Sequence, residues 1–134
     1  MGQSQSIKKV NFEDIQQTIT TNNKYLLINT LKLEEQKCLI KGTISPDKEI
    51  SVINSNLNNT NLRIIIYGKN AADETIYKKY NQLIKLGFYN IYLYPGGVFE
   101  WLLLQDIYGA EEFPTTSEII DILKYRGDIC ERLR

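Results

Sequence analysis

The segment Leu62-Arg63-Ile64-Ile65-Ile66-Tyr67-Gly68-Lys69-Asn70-Ala71-Ala72-Asp73-Glu74 opens as a strand and breaks off into a loop. Its first six residues form a short apolar run rich in β-branched side chains, bounded at once by polar and glycine signals, so the run reads as a buried strand. After the loop, Ile76, Tyr80, Leu83 and Ile84 fall on one face at helical spacing, which predicts a helix over 72–86. Lys85 supplies a cationic last turn and Gly87 a residue free to take a positive φ at the stop. Ile91-Tyr92-Leu93-Tyr94 follows as a second apolar strand, and Pro95-Gly96-Gly97 breaks it. Strand, loop, helix and strand make a βαβ unit with parallel strands and a right-handed crossover.

The rest of the chain extends that unit on both sides. Val10 closes a short strand, and Asn11 caps a helix carrying Phe12, Ile15 and Ile19. Tyr25-Leu26-Leu27-Ile28 is a further buried strand, and Lys48 to Leu57 reads as a short helix before an Asn-rich loop, 54–61. The strands at 25–28, 64–67 and 91–93 are expected to be mutually parallel and buried on both faces. Val98 to Tyr108 is a strongly apolar helix stopped by Gly109, and such a helix needs cover on most of its surface. Thr115 with Glu118 matches a capping box for a last helix through Ile119, Ile120, Ile122, Leu123 and Tyr125. The prediction is an α/β three-layer domain, a parallel sheet of about five strands flanked by helices. Residues 1–7 read as a flexible N-terminal tail, 8–126 as a single domain and 127–134 as a charged C-terminal end.

Composition narrows the functional classes. The 134 residues, 43% of them apolar, suffice for one core without staples. Sixteen basic and sixteen acidic residues cancel, so no charge surplus points to nucleic acid. Two cysteines and no histidine leave too few soft ligands for a structural zinc site, and neither a metal nor another cofactor is expected. With no signal peptide and no long apolar run, the chain is expected to be cytoplasmic with reduced thiols. Lys outnumbers Arg twelve to four, and Ile, Asn and Tyr are plentiful, the mark of an AT-rich genome.

From Val10 to Trp101 the order of signals resembles the rhodanese homology domain. The likeness rests on a hydrophobic strand ending in Tyr67, a loop of about six residues, a helix ending Leu86-Gly87-Phe88, then Asn90-Ile91-Tyr92 and Gly96-Gly97 before Trp101. Cys38-Leu39-Ile40-Lys41-Gly42-Thr43-Ile44 resembles the family's Gly-His-Ile-x-Gly-Ala segment, with Gly42 retained and Leu39 in place of the histidine. The tail beyond Gly109 resembles the end of rhodanese-like proteins from protists and large DNA viruses. In that family the loop reads Cys-Arg-x-Gly-x-Arg or a variant, and its cysteine carries the transferred sulfur. Here Gly68 stands for the cysteine, Lys69 for the first arginine, Ala71 for the glycine and Asp73 for the second arginine. Asn29-Thr30-Leu31 replaces an Asp-Val-Arg-like tripeptide, so both of its charges are missing.

The resemblance therefore implies a rhodanese-like domain with a vestigial active-site loop, Gly68, Lys69, Asn70, Ala71, Ala72, Asp73 and Glu74, and no catalytic residue. Sulfur transfer needs a thiolate in a cradle of backbone N–H groups, and phosphatases of the same fold use the same cysteine with an arginine clamp. Gly68 offers no nucleophile, while Asp73 and Glu74 reverse the clamp's charge and suit the first turn of a helix that binds no anion. Lys69 alone remains to attract a small anion. The expected role is a protein-binding or regulatory module, its partner surface on the helix from Val98 to Tyr108 or on the rim of the loop. The alternative is a sulfurtransferase or persulfide carrier using Cys38. Cys130 lies in the charged end, and Glu34-Glu35 and Glu111-Glu112 read as solvated surface. The start Met1-Gly2-Gln3-Ser4-Gln5-Ser6 matches the acceptor pattern for N-myristoylation at Gly2, followed by Lys8-Lys9. One such chain binds membranes reversibly, with a constant of about 10⁴ M⁻¹, so peripheral membrane contact would be partial.

Overall fold

A computed structural model describes residues 6–21 and 25–133. The order of regular elements is β1 (Lys8–Lys9), α1 (Phe12–Thr20), β2 (Tyr25–Asn29), α2 (Pro46–Ser55), β3 (Arg63–Tyr67), α3 (Thr75–Lys85), β4 (Ile91–Tyr94) and α4 (Gly97–Tyr108). The strands form one parallel sheet in the order β1-β4-β3-β2. Register runs Lys9 opposite Leu93, Ile66 opposite Leu93, and Ile28 opposite Ile66. All three expected strands are thus parallel neighbours, with β3 between the other two. The place beyond β2 is held by a single parallel bridge from Leu27 to Thr43, where the Ile44 N–H donates to Leu27 O at 2.9 Å. Four strands and this one-residue fifth make up the sheet among the described residues.

Alternation along the strands divides the core in two. Leu27, Ile65, Tyr67 and Tyr94 face α1 and α4, where they meet Ile15, Val98, Trp101 and Leu102. Ile28, Ile64, Ile66, Ile91 and Leu93 face α2 and α3, where they meet Ile53, Ile76, Leu83 and Phe88. A period of two in the strands therefore produces three layers, helix, sheet and helix. Each side chain of this size that leaves water contributes about 1.5–3 kcal/mol.

Two elements differ from the sequence expectation. α3 starts at Thr75, three residues later than the alanines suggested, because Asn70 and Asp73 bond their own backbone: Asn70 Oδ1 accepts from Ala72 N at 2.9 Å and Asp73 Oδ1 from Thr75 N at 2.9 Å. Side chains of this kind compete with helix hydrogen bonds and delay the helix. The last helix is absent, and a four-residue 3₁₀ turn at Ile122–Tyr125 takes its place. Tertiary pairing overrides the capping box: Thr115 forms an antiparallel bridge with Ile40, its hydroxyl donates to Ser117 O, and Thr116 N donates to Leu39 O at 2.8 Å. The segment after α4 is consequently irregular, and it seals the core through Phe113 and Tyr125, both buried.

Candidate functional site

The loop after β3 sits at the C-terminal edge of an interior strand, the usual ligand position in an open α/β sheet. Its first half is zipped to the start of α4: Val98 N donates to Gly68 O at 3.0 Å and Phe99 N to Lys69 O at 2.9 Å. This approach requires a glycine at 97, where φ is +67° and an added Cβ would lie 2.6 Å from Gly68 O. Asn70, buried, donates from Nδ2 to Tyr125 O at 2.9 Å and so ties the irregular C-terminal segment to the loop.

The inside of the loop is taken by Asp73. Its Oδ2 accepts from Lys69 N at 2.8 Å, and its Oδ1 accepts from Thr75 N at 2.9 Å and from the Thr75 hydroxyl at 2.6 Å. The Thr75 hydroxyl also lies 2.7 Å from that of Thr30, at the end of β2. Partial burial pushes the Asp73 carboxyl upward. The Thr75 hydroxyl, the backbone N–H groups of Lys69 and Thr75, and the Lys69 ammonium outweigh that and hold it below the usual carboxylate range. Two backbone N–H groups of the loop, those of Lys69 and Thr75, are thus engaged by a carboxylate of the chain itself.

Gly68 is the companion of that arrangement. An ideal Cβ there would lie 2.6 Å from Asp73 Oδ2 and 3.0 Å from Thr30 Oγ1, so any side chain at 68 must displace the carboxylate. Lys69, the one cation of the loop, turns to Glu35, with Nζ 2.9 Å from Oε2. A cleft of ≈ 440 Å³ opens beside the loop, with Lys32, Lys69 and Arg126 facing Glu35, Asp73, Glu74 and Asp128, so neither sign of charge dominates it. Ala71, Ala72 and Glu74 are exposed on the turn.

Neighbouring positions are closed as well. Asn29 is buried, and its side-chain amide pairs face to face with that of Gln36, at 2.7 Å and 3.1 Å. Leu31 is also buried, so neither member of the tripeptide presents charge to the loop. Cys38 is wholly enclosed and its Sγ lies 3.3 Å from Ser117 O, whereas Cys130 is exposed on the C-terminal segment. Cys38 therefore presents no surface to solvent in this conformation. Gly2 lies outside the described residues.

Sequence reasoning missed Glu35, Thr30 and Thr75. Glu35 reads in the sequence as solvated surface, yet its side chain is only 18% exposed in the ion pair with Lys69. It stands on a 3₁₀ turn, Leu33–Glu35, and no local signal connects it to a loop more than thirty residues away. Thr75 was visible in principle: Asp-x-Thr before a helix is a pattern in which a carboxylate accepts from the backbone N–H two residues on. Among the described residues no cluster of His, Cys, Asp and Glu could hold a metal ion.

No family profile matches the sequence, and no curated protein matches it. Solved structures do match. The chain is similar to a yeast protein tyrosine phosphatase of the rhodanese family, with 12% identity over 92% of this chain and 100% of that one, at a TM-score of 0.62. It is similar to the rhodanese-like domain of a protein from Anabaena, with 16% identity over 96% of each chain and a TM-score of 0.59. It is also similar to a thiosulfate sulfurtransferase from Pseudomonas aeruginosa, with 18% identity over 72% of this chain and 19% of that one, at a TM-score of 0.58. At such identities the likeness speaks for architecture alone, a parallel sheet flanked by helices. The chain has the rhodanese fold.

Proposed function

We propose that this chain is a catalytically silent rhodanese-fold module that works by binding another protein. The observation that carries the reading is the pairing of Gly68 with Asp73: the position from which a nucleophile would act is empty, and the surrounding N–H donors hold an internal carboxylate. Activity in the similar sulfurtransferase and phosphatase is a property of those proteins. In this loop a thiolate, an anion cradle and a cationic clamp are all replaced.

The test is a thiosulfate-to-cyanide sulfur-transfer assay on the full chain, with para-nitrophenyl phosphate as a second substrate. Neither should turn over, and Cys38→Ser should change nothing. Turnover that Cys38→Ser abolishes would overturn the reading in favour of a sulfurtransferase or persulfide carrier at Cys38. Gly68→Cys alone should stay inert, because Asp73 competes for the same space. The triple variant Gly68→Cys, Ala71→Gly, Asp73→Arg asks whether the loss is confined to the loop. A triple variant that stays inert implicates the missing charges at Asn29 and Leu31, or an occluded pocket, instead.

Location belongs to the same proposal. Among the described residues no helix is long and apolar enough to cross a membrane. The sequence supports acylation at Gly2, which would divide a cytoplasmic protein between cytosol and membrane. Intact mass from a eukaryotic host decides this, and Gly2→Ala should remove the membrane fraction without altering thermal stability.

A further inference from the structure

The two helical layers carry opposite charge. α1 and α4 together contain Glu13, Asp14, Glu100 and Asp106 and neither Lys nor Arg, whereas α2 and α3 contain Lys48, Lys78, Lys79 and Lys85 against Asp47 and Glu49. From Leu86 to Leu123 the sequence has six acidic residues and no basic one. The outer face of α4 also remains open, because the irregular segment after it covers Trp101 and Gln105 and leaves Leu103 41%, Ile107 69% and Tyr108 64% exposed. Leu103 and Ile107 stack one turn apart, with Asp106 beside them. Glu111 and Glu112 continue the acidic rim past the end of the helix, and Gln16 bonds Glu112 O at 2.8 Å, which brings α1 alongside. Among the described residues the ion pairs are Lys69–Glu35 and Lys79–Glu49, so none of these rim carboxylates is neutralised by one.

Resting on the module reading above, we infer that the outer face of α4 docks a basic amphipathic helix of another protein, with apolar anchors for Leu103, Ile107 and Tyr108 and Lys or Arg for the rim. Charge complementarity selects this occupant. A second copy meeting the same face about a two-fold axis would set acidic rim against acidic rim, and an anionic lipid surface would be repelled. Apolar contact at the centre supplies affinity, while the charged rim supplies steering and rejection of acidic partners.

The experiment uses the full chain and two synthetic amphipathic peptides, one of leucine and lysine and one of leucine and glutamate. Fluorescence anisotropy should show the lysine peptide bound and the glutamate peptide not, with affinity falling as salt rises. Ile107→Arg and, separately, Asp106→Lys should weaken binding by about tenfold or more, whereas Ile50→Arg, on α2 of the basic layer, should leave it unchanged. Backbone amide shift changes should gather at 103–112. Equal binding by Ile107→Arg, equal binding of the glutamate peptide, or shifts gathered elsewhere would overturn the inference. So would sedimentation showing a dimer that Ile107→Arg dissolves, since a second copy would then be the occupant. Sulfur transfer is read separately, so loss of this inference and loss of the module reading are distinguishable.

Discussion

The two faces of the sheet are sealed by different means. On the α2 and α3 side the cover is regular helix over aliphatic side chains, and Ile53, Ile76 and Leu83 meet Ile28, Ile64 and Ile66 with packing as the main bond. On the α1 and α4 side the cover is part helix and part irregular chain over aromatic side chains, with Trp101 edge-on to both Tyr94 and Phe113, at 6.4 Å and 5.0 Å between ring centroids. Irregular chain brings unpaired carbonyls to a core, and side chains must satisfy them. Trp101 Nε1 donates to Pro114 O at 3.1 Å, and Gln105 Nε2 donates to Phe113 O at 2.7 Å and to the Thr115 hydroxyl at 3.0 Å. The aliphatic face is thus held by area and by one ion pair between its helices, Lys79 to Glu49 at 2.7 Å, and the aromatic face by area together with several bonds from side chains to irregular backbone.

Trp101→Ala tests that difference most severely. It empties the largest fully buried side chain and removes one of the two donors to Pro114 O, the Lys41 N–H remaining, so a loss of about 3–5 kcal/mol is expected in urea denaturation, with hydrogen exchange quickened first over 113–125. Uniform loss across both faces would break the comparison. Gln105→Ala should cost roughly 1–2 kcal/mol and again loosen 113–117 selectively, because it leaves acceptors without partners. Ile66→Val, on the aliphatic face, should cost about 0.5–1.5 kcal/mol and lower protection globally, with no segment released.

The smallest effect belongs to the edge where the faces meet. Asp73 is more acidic folded than unfolded, so its contribution is present above the unfolded value of about 4 and is lost as pH falls through the lower folded value. Asp73→Asn should therefore be less stable than the parent at neutral pH, and the gap should close below about pH 4. A gap that persists in acid would mean that shape, and not charge, makes Asp73 fit.

Legibility followed the same division. Ile64-Ile65-Ile66 and Ile91-Tyr92-Leu93 announce buried strands because their β-branched and aromatic content and short length leave little choice, and parallel pairing follows from the helix between them. The loop's place at the strand end was equally visible. What the sequence concealed was the use of Asp73, since a carboxylate before a helix reads as a cap whether or not its other oxygen reaches back to Lys69. Glu35 was hidden because its partner is remote in sequence. The missing last helix failed for a third reason: Thr115, Thr116 and Ser117 find backbone partners at Ile40, Leu39 and Lys37, and such long-range bonds leave no periodic trace.

The closeness of Gly68 to Asp73 constrains more than the present molecule. A cysteine placed at 68 with Asp73 intact expels a carboxylate from its donors, and an arginine placed at 73 with Gly68 intact gains no thiolate to clamp. The two positions are therefore coupled: what a side chain at 68 costs depends on what stands at 73. Substitutions at 68 and 73 should accordingly be non-additive, and a double-mutant cycle across the pair should return an interaction term that neither single variant shows.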